Sequence, residues 1–249
     1  MNVLTVFLIT LFPFISLLAH ADNQAPRSFW DWSTEWSEKK FIKQAKKHDK
    51  AVSKRQWKKS IELGETALEG CLTLYHPLDQ RCIIIMKNNV TAYARTQQTL
   101  SHRTEITQAY QAATEAVGKK HFSTIIIRDI YRAMLLDLER YEDAVPVFIE
   151  SIEVERAMQN DEFKILNYEI YLYALYLVTE QPQYEEPTLL RMMALTEKIM
   201  GVESDDFYRM VSTLAETYCA RKQYNEFFDV IGKYKLDTKC LSKDQHTSS

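Results

Sequence analysis

Glycine and proline are scarce in this sequence: there are 5 and 6 of them among 249 residues, about 2% each against typical usage near 7% and 5%. β-Hairpins, tight turns and phosphate-cradling loops draw on residues with φ > 0, so a chain this poor in glycine cannot be built from them on any scale. HExxH, GxSxG and glycine-rich phosphate motifs are missing, and no CxxC or HxxxH pair offers metal-ligand spacing. A dominant charge is missing too, since a net charge of −3 gives no reason to expect nucleic acid as a partner. A hydrophobic content of 46% argues against disorder. These absences leave a helical protein for which we expect no catalytic site, no metal and no cofactor.

What is present begins at the first residues. Val3 to Ala19 is almost uninterrupted apolar sequence, and Ala19-His20-Ala21 is a small-x-small pattern that suits signal peptidase. The chain then turns polar at Asp22-Asn23-Gln24, so residues 1–21 read as a secretory signal peptide. The leader has no Lys or Arg ahead of its apolar run, and the run, about 17 residues containing Pro13, sits at the short limit for a membrane span. Anchorage by an uncleaved N-terminal helix is therefore the competing expectation. No cysteine follows Ala21, which argues against a lipoprotein anchor. In either case the body is expected to be exported, periplasmic or secreted.

The four cysteines fit that compartment. Three pairings are open, with four buried thiols as the alternative. Cys71 ends one helical stretch and Cys82 opens the next across Tyr75-His76-Pro77-Leu78-Asp79, which favours the local pair. Cys219 would then join Cys240 and staple the tail, residues 235–249, back onto the last helices.

Apolar residues recur with helical rather than alternating period through most of the chain. From Asp143 to Met158, for example, Ala144, Val147, Phe148, Ile152 and Val154 to Glu155 trace one stripe opposite charged residues. Short breaks recur at His76-Pro77, Leu100-Ser101-His102, Gly118-Lys119-Lys120, Arg140, Gln159-Asn160, Gln181-Pro182, Gly201 and Lys222-Gln223. Gly118 and Gly201 stand where a left-handed C-cap residue is wanted. An aromatic residue opens the second helix of successive units at Trp57, Tyr141, Tyr184 and Tyr224, at intervals of 84, 43 and 40 residues. The first interval is two steps of 42 with a degenerate unit between, near Ser101 to Val117. A fixed period of this size is the signature of stacked helical hairpins.

The residues carry a family resemblance. Leu214-Ala215 followed by Tyr218 and Tyr224 resembles the tetratricopeptide (TPR) pattern, as does Tyr141-Glu142-Asp143-Ala144 with Phe148. Ala67 and Ala194, each ten residues after an opening aromatic, fit the small residue where the two helices of a hairpin cross. The spacing near 42, and His76-Pro77 between helices, are similar to the kinesin-light-chain type of repeat. Pro187 stands where the family has Ala. The resemblance spans residues 39–234 in four to five units. It implies an all-α, right-handed superhelical array of antiparallel helix hairpins, an α-solenoid that acts as a scaffold or adaptor and binds a protein or peptide on its concave face. On that geometry, Tyr168, Tyr171, Ile130, Met134, Arg209 and Ser212 are the candidate partner contacts, although tyrosines packed between hairpins are equally expected. The family's Lys/Asn clamp for a C-terminal carboxylate is not matched.

Two N-terminal features stand apart from the repeat. Lys39 to Lys59 holds ten Lys/Arg against Asp49, a net +9 that leaves −12 for the rest of the chain. On a helix, Lys39, Lys43, Lys46, Lys47, Lys50 and Lys54 share one face, with Phe41, Ile42, Ala45 and Val52 opposite. This face is a candidate contact for an anionic membrane surface or an acidic protein; a capping helix with a solvated outer face is the plainer expectation. Residues 22–38 contain Phe29-Trp30-Asp31-Trp32 and Trp36, which suit either an interfacial anchor or a segment folded over the end of the array. The sequon Asn89-Val90-Thr91 is expected inside a helix.

Overall fold

The structure is a computed structural model that describes residues 35–159 and 161–240. The leader, Trp30, Trp32 and the tail beyond Cys240 lie outside these residues. Ten α-helices follow one another from Trp36 onward, with no strand among the described residues. They are α1 (Glu38–Ser53), α2 (Trp57–Leu74), α3 (Gln80–Arg95), α4 (Arg103–Val117), α5 (Phe122–Asp137), α6 (Tyr141–Ala157), α7 (Glu162–Val178), α8 (Glu185–Met200), α9 (Asp205–Ala220) and α10 (Tyr224–Tyr234), with a 3-10 turn at Pro182–Tyr184 before α8. Each helix packs on the next, so the odd-numbered leading helices and the even-numbered trailing helices form five hairpins.

The two kinds of turn have different chemistry. Inside each hairpin one residue adopts positive φ: Arg55, Gln97, Glu139, Glu180 and Lys222, with φ between 53° and 59°. These positions recur every 41 or 42 residues. The residue after each donates its N–H to a carbonyl five positions back: Gln56 to Ala51, Gln98 to Tyr93, Arg140 to Leu135, Gln181 to Tyr176 and Gln223 to Tyr218. This is the 6→1 bond of a Schellman ending, which satisfies a carbonyl the helix would otherwise leave open. A β-carbon in this conformation costs about 1 kcal/mol, and five hairpins tolerate it without glycine. Between hairpins, Gly118 and Gly201 serve at two turns, and Gln159, with φ of 53°, at another. The glycines' φ of 83° and 87° is positive, but ψ near 160° is extended rather than left-handed helical, a region essentially restricted to glycine.

Helix starts show the complementary asymmetry. Every leading helix is capped by a side chain: Ser37, Asp79, His121, Asp161 and Ser204 each accept a first-turn backbone N–H, worth about 1 kcal/mol apiece. No trailing helix has such a bond, because the Schellman turn delivers the chain directly into it. Pro187 is accommodated in the first turn of α8, where an N–H has no intrahelical partner.

In the 42-residue register, the crossing position is Ala67, Ala109, Ser151 and Met193, all buried. Ala194 is exposed, because Tyr184 falls one residue late and shifts the count. On α6 the buried set extends beyond the single stripe to Val145, Glu150 and Ser151, since the helix is covered on more than one side. The run Lys39 to Lys59 is two helices, not one: it breaks at Lys54–Gln56 and resumes on α2. The face of α1 that packs inward carries Phe41, His48 and Ala51, while Ile42 is 43% exposed. Trp36 lies against Gly70, where a Cβ would stand 2.5 Å from its ring, and its indole N–H donates to Glu69 at 3.3 Å. Disulfides join Cys71 to Cys82 and Cys219 to Cys240, with Cα–Cα separations of 5.6 and 5.5 Å. Asn89 is 2% exposed, so its sequon is closed in the folded chain.

Candidate binding site on the leading helices

Packing of α1 on α3 and of α3 on α5 sets the leading helices side by side. Their register brings Ile42, Ile84 and Ile126, spaced by 42 residues, to equivalent positions, and they are 43%, 36% and 37% exposed. Covering such half-open side chains would gain on the order of 1 kcal/mol each. Beside this ladder the Lys87 ammonium lies 5.5 Å from the Phe122 ring centre. Burial lowers the Lys87 pKa and Asp49 partly offsets it.

Beyond α5 the leading helices part. α7 reaches α5 through long side chains: the Tyr168 hydroxyl lies 3.5 Å from Asp129, and the Arg132 guanidinium sits 4.3 Å over the Tyr168 ring. Behind them, Glu169 is buried and accepts from Arg156 at 2.8 Å and from Arg191 at 2.9 and 3.0 Å, and Glu155 is paired with Lys164. At the junction of α4, α5 and α6, Glu150 is pushed up by burial, but hydrogen bonds from Lys119 and Tyr110 outweigh this and hold its pKa below the usual value.

Where α7 and α9 separate, α8 becomes the floor of a groove of about 300 Å³. Its walls are Leu166, Ile170 and Tyr173 on one side and Arg209, Met210 and Thr213 on the other, over Leu189, Met192 and Met200. Ile170 and Met200 are 42% and 41% exposed. Arg209 and Asp206 pair at 3.4 Å at the rim. Methionines suit a groove that must adapt to its occupant, because the thioether chain is unbranched and polarizable.

The sequence-based candidates divide accordingly. Arg209 lines this groove, and Tyr171 is exposed next to Ile170, with its ring stacked on Phe148 at 5.5 Å. Ser212 and Ile130 are half-buried. Tyr168 and Met134 are 3% and 1% exposed and belong to the packing between helices, which removes them as contact residues. The groove floor and the isoleucine ladder are the residues sequence reasoning missed. The ladder was legible in principle, because three isoleucines sit one repeat apart. All six candidate lysines of α1 are exposed. Lys47, Lys50 and Lys54 line a separate cavity of about 480 Å³ with Lys59 of α2. Among the described residues no group of three His, Cys, Asp or Glu is placed to hold a metal ion, and no helix is long and apolar enough to cross a membrane.

No protein-family model matches the chain, and no curated protein does either. Among solved structures it is similar to a kinesin-light-chain protein of Podosopora anserina with nearly identical TPR-like repeats: 15% identity, 78% of this chain and 92% of that one, TM-score 0.50. The fold is a TPR-like helical repeat array. Fainter likenesses are to BtubC from P. vanneervenii, at 14% identity over 79% of each chain with TM-score 0.47, and to apo RapI, at 15% identity over 78% of this chain and 69% of that one with TM-score 0.47. The TPR-like array therefore rests on the first of these likenesses together with the five hairpins and their 42-residue register.

Proposed function

We propose that this chain is an exported scaffold that binds an extended protein or peptide segment across its leading helices, with apolar side chains of the partner held between α7 and α9. The single observation that carries the reading is the opening of those two helices over a methionine floor, where Ile170 and Met200 remain exposed beside Arg209. The role is binding, and we assign it no catalytic step. Export is supported by the apolar leader Val3 to Ala19 and by the joining of all four cysteines in disulfides, a state that persists in oxidising compartments.

Selection of a random dodecapeptide library on the immobilised chain, followed by calorimetry of the enriched peptides, tests the groove. Ile170→Glu and Met200→Glu are each expected to weaken those peptides at least tenfold; unchanged affinity in both variants rejects the groove. Expression of the whole chain in a bacterial host tests export. The expected product is extracytoplasmic and begins at Asp22, and retention inside the cell rejects that half of the reading.

A further inference from the structure

A second groove lies away from the leading-helix ladder, between trailing helices α2 and α4 with α3 as its floor. It has a volume of about 230 Å³ and an apolar bed that includes Leu72, Met86 and Val90. Three carboxylates stand on its walls: Glu65 and Glu69, one turn apart on α2, and Glu105 on α4. No Lys or Arg is paired with any of them among the described residues. Glu65 accepts from the Tyr93 hydroxyl at 3.4 Å, Glu69 from the Trp36 indole at 3.3 Å, and Glu105 has only His102 at 4.0 Å. Asn89 forms part of the floor, with its buried amide packed beside Gly64 and His48.

We infer that this groove is a docking site for an arginine- or lysine-bearing segment of a partner protein, with the aliphatic stem on the Leu72 and Met86 bed and the cationic head among Glu65, Glu69 and Glu105. The charge decides the occupant. Three carboxylates with no Lys or Arg paired to them among the described residues repel an anion and gain nothing from a neutral apolar residue, whereas a long cationic side chain matches both the bed and the rim. Burial, with Glu65 and Glu105 adding to it, raises the Tyr93 pKa, which reports the same negative field.

The probe is the peptide acetyl-Gly-Leu-Arg-Leu-Gly-amide, titrated into the whole chain by calorimetry and by amide NMR, with the citrulline peptide as its neutral isostere. The arginine peptide is expected to shift the amides of Asn89, Tyr93 and Glu105 and to bind at least tenfold more tightly than the citrulline peptide. Glu65→Gln with Glu105→Gln should lose that preference at unchanged melting temperature. Glu62→Gln with Glu115→Gln, the same charge change on the same helices outside the groove, should keep it. Equal loss in both double variants, equal affinity for citrulline, or no localised shift at millimolar peptide overturns the site. Self-association that disappears in Glu65→Gln with Glu105→Gln would also overturn it, in favour of a second copy of this chain. Ile170→Glu leaves this binding intact, so failure of the α7–α9 groove and failure of this one are separable.

Discussion

The first three leading helices and the last three solve the same packing problem in opposite ways. From α1 to α5 they touch, and small residues allow the approach. A Cβ on Gly64 would come within 1.9 Å of the Asn89 side chain and 2.8 Å of His48. The exposed product is a closed ridge of isoleucines. From α5 to α9 the leading helices stand apart: Arg132 reaches over Tyr168 between α5 and α7, while Glu155 and Glu169 with their cations tie α7 to the trailing helices α6 and α8. That spacing opens the groove over Met192 and Met200. Close approach of the leading helices therefore leaves an apolar ladder, whereas their separation leaves a cleft between α7 and α9.

The contrast can be broken from either end. Replacing Cys71 and Cys82 with alanine removes the cross-link from the tight half, and a loss of about 3 kcal/mol is expected in urea unfolding. In the bridged half, Glu169→Ala strands Arg156 and Arg191. Both guanidiniums keep contact with water, at 48% and 38% side-chain exposure, so we expect about 2–3 kcal/mol, at or below the low end of a fully buried pair. Gly64→Ala should cost roughly 1–3 kcal/mol through overpacking against Asn89. The same change at Gly232, where nothing lies within 4 Å, should add up to about 1 kcal/mol of helix propensity. If both glycine variants behaved alike, close approach would not be what distinguishes the tight half.

The smallest effect is a pH dependence confined to α1. His48 is fully buried and its imidazole has no hydrogen-bond partner. Its pKa is lowered from 6.5 by burial, against a raising influence from Asp49 and with a further lowering one from Lys87. The unfolded chain therefore takes up a proton before the folded chain does. Stability is full above about 6.5 and falls as pH drops from there toward the lowered folded value. Melting temperatures between pH 7.5 and 5 should decline more in the native chain than in His48→Asn; parallel declines would remove His48 as the cause.

Much of the array was readable from the chain. The aromatic openers Trp57, Tyr141 and Tyr224 each begin a helix, and the degenerate stretch near Ser101 proved to hold an ordinary helix, α4, with Ala109 in the crossing register. The break at Lys54–Gln56 was implied by Trp57 opening a helix, yet no glycine marks it, because Arg55 itself takes left-handed φ. For Tyr168 and Met134, both buried, the sequence left open whether packing or a partner claims the side chain. Family geometry assigns a helix to a face, but one residue of phase decides whether its side chain meets solvent or a neighbour.

Period and polarity along the chain were enough to determine helices and their pairing into hairpins, because these follow from local conformational preference and from which residues avoid water. Only the tertiary structure decided where neighbouring hairpins close and where they part. That choice depends on Gly64 meeting Asn89 and on Arg132 reaching Tyr168, contacts between residues 25 and 36 positions apart whose geometry no local pattern records.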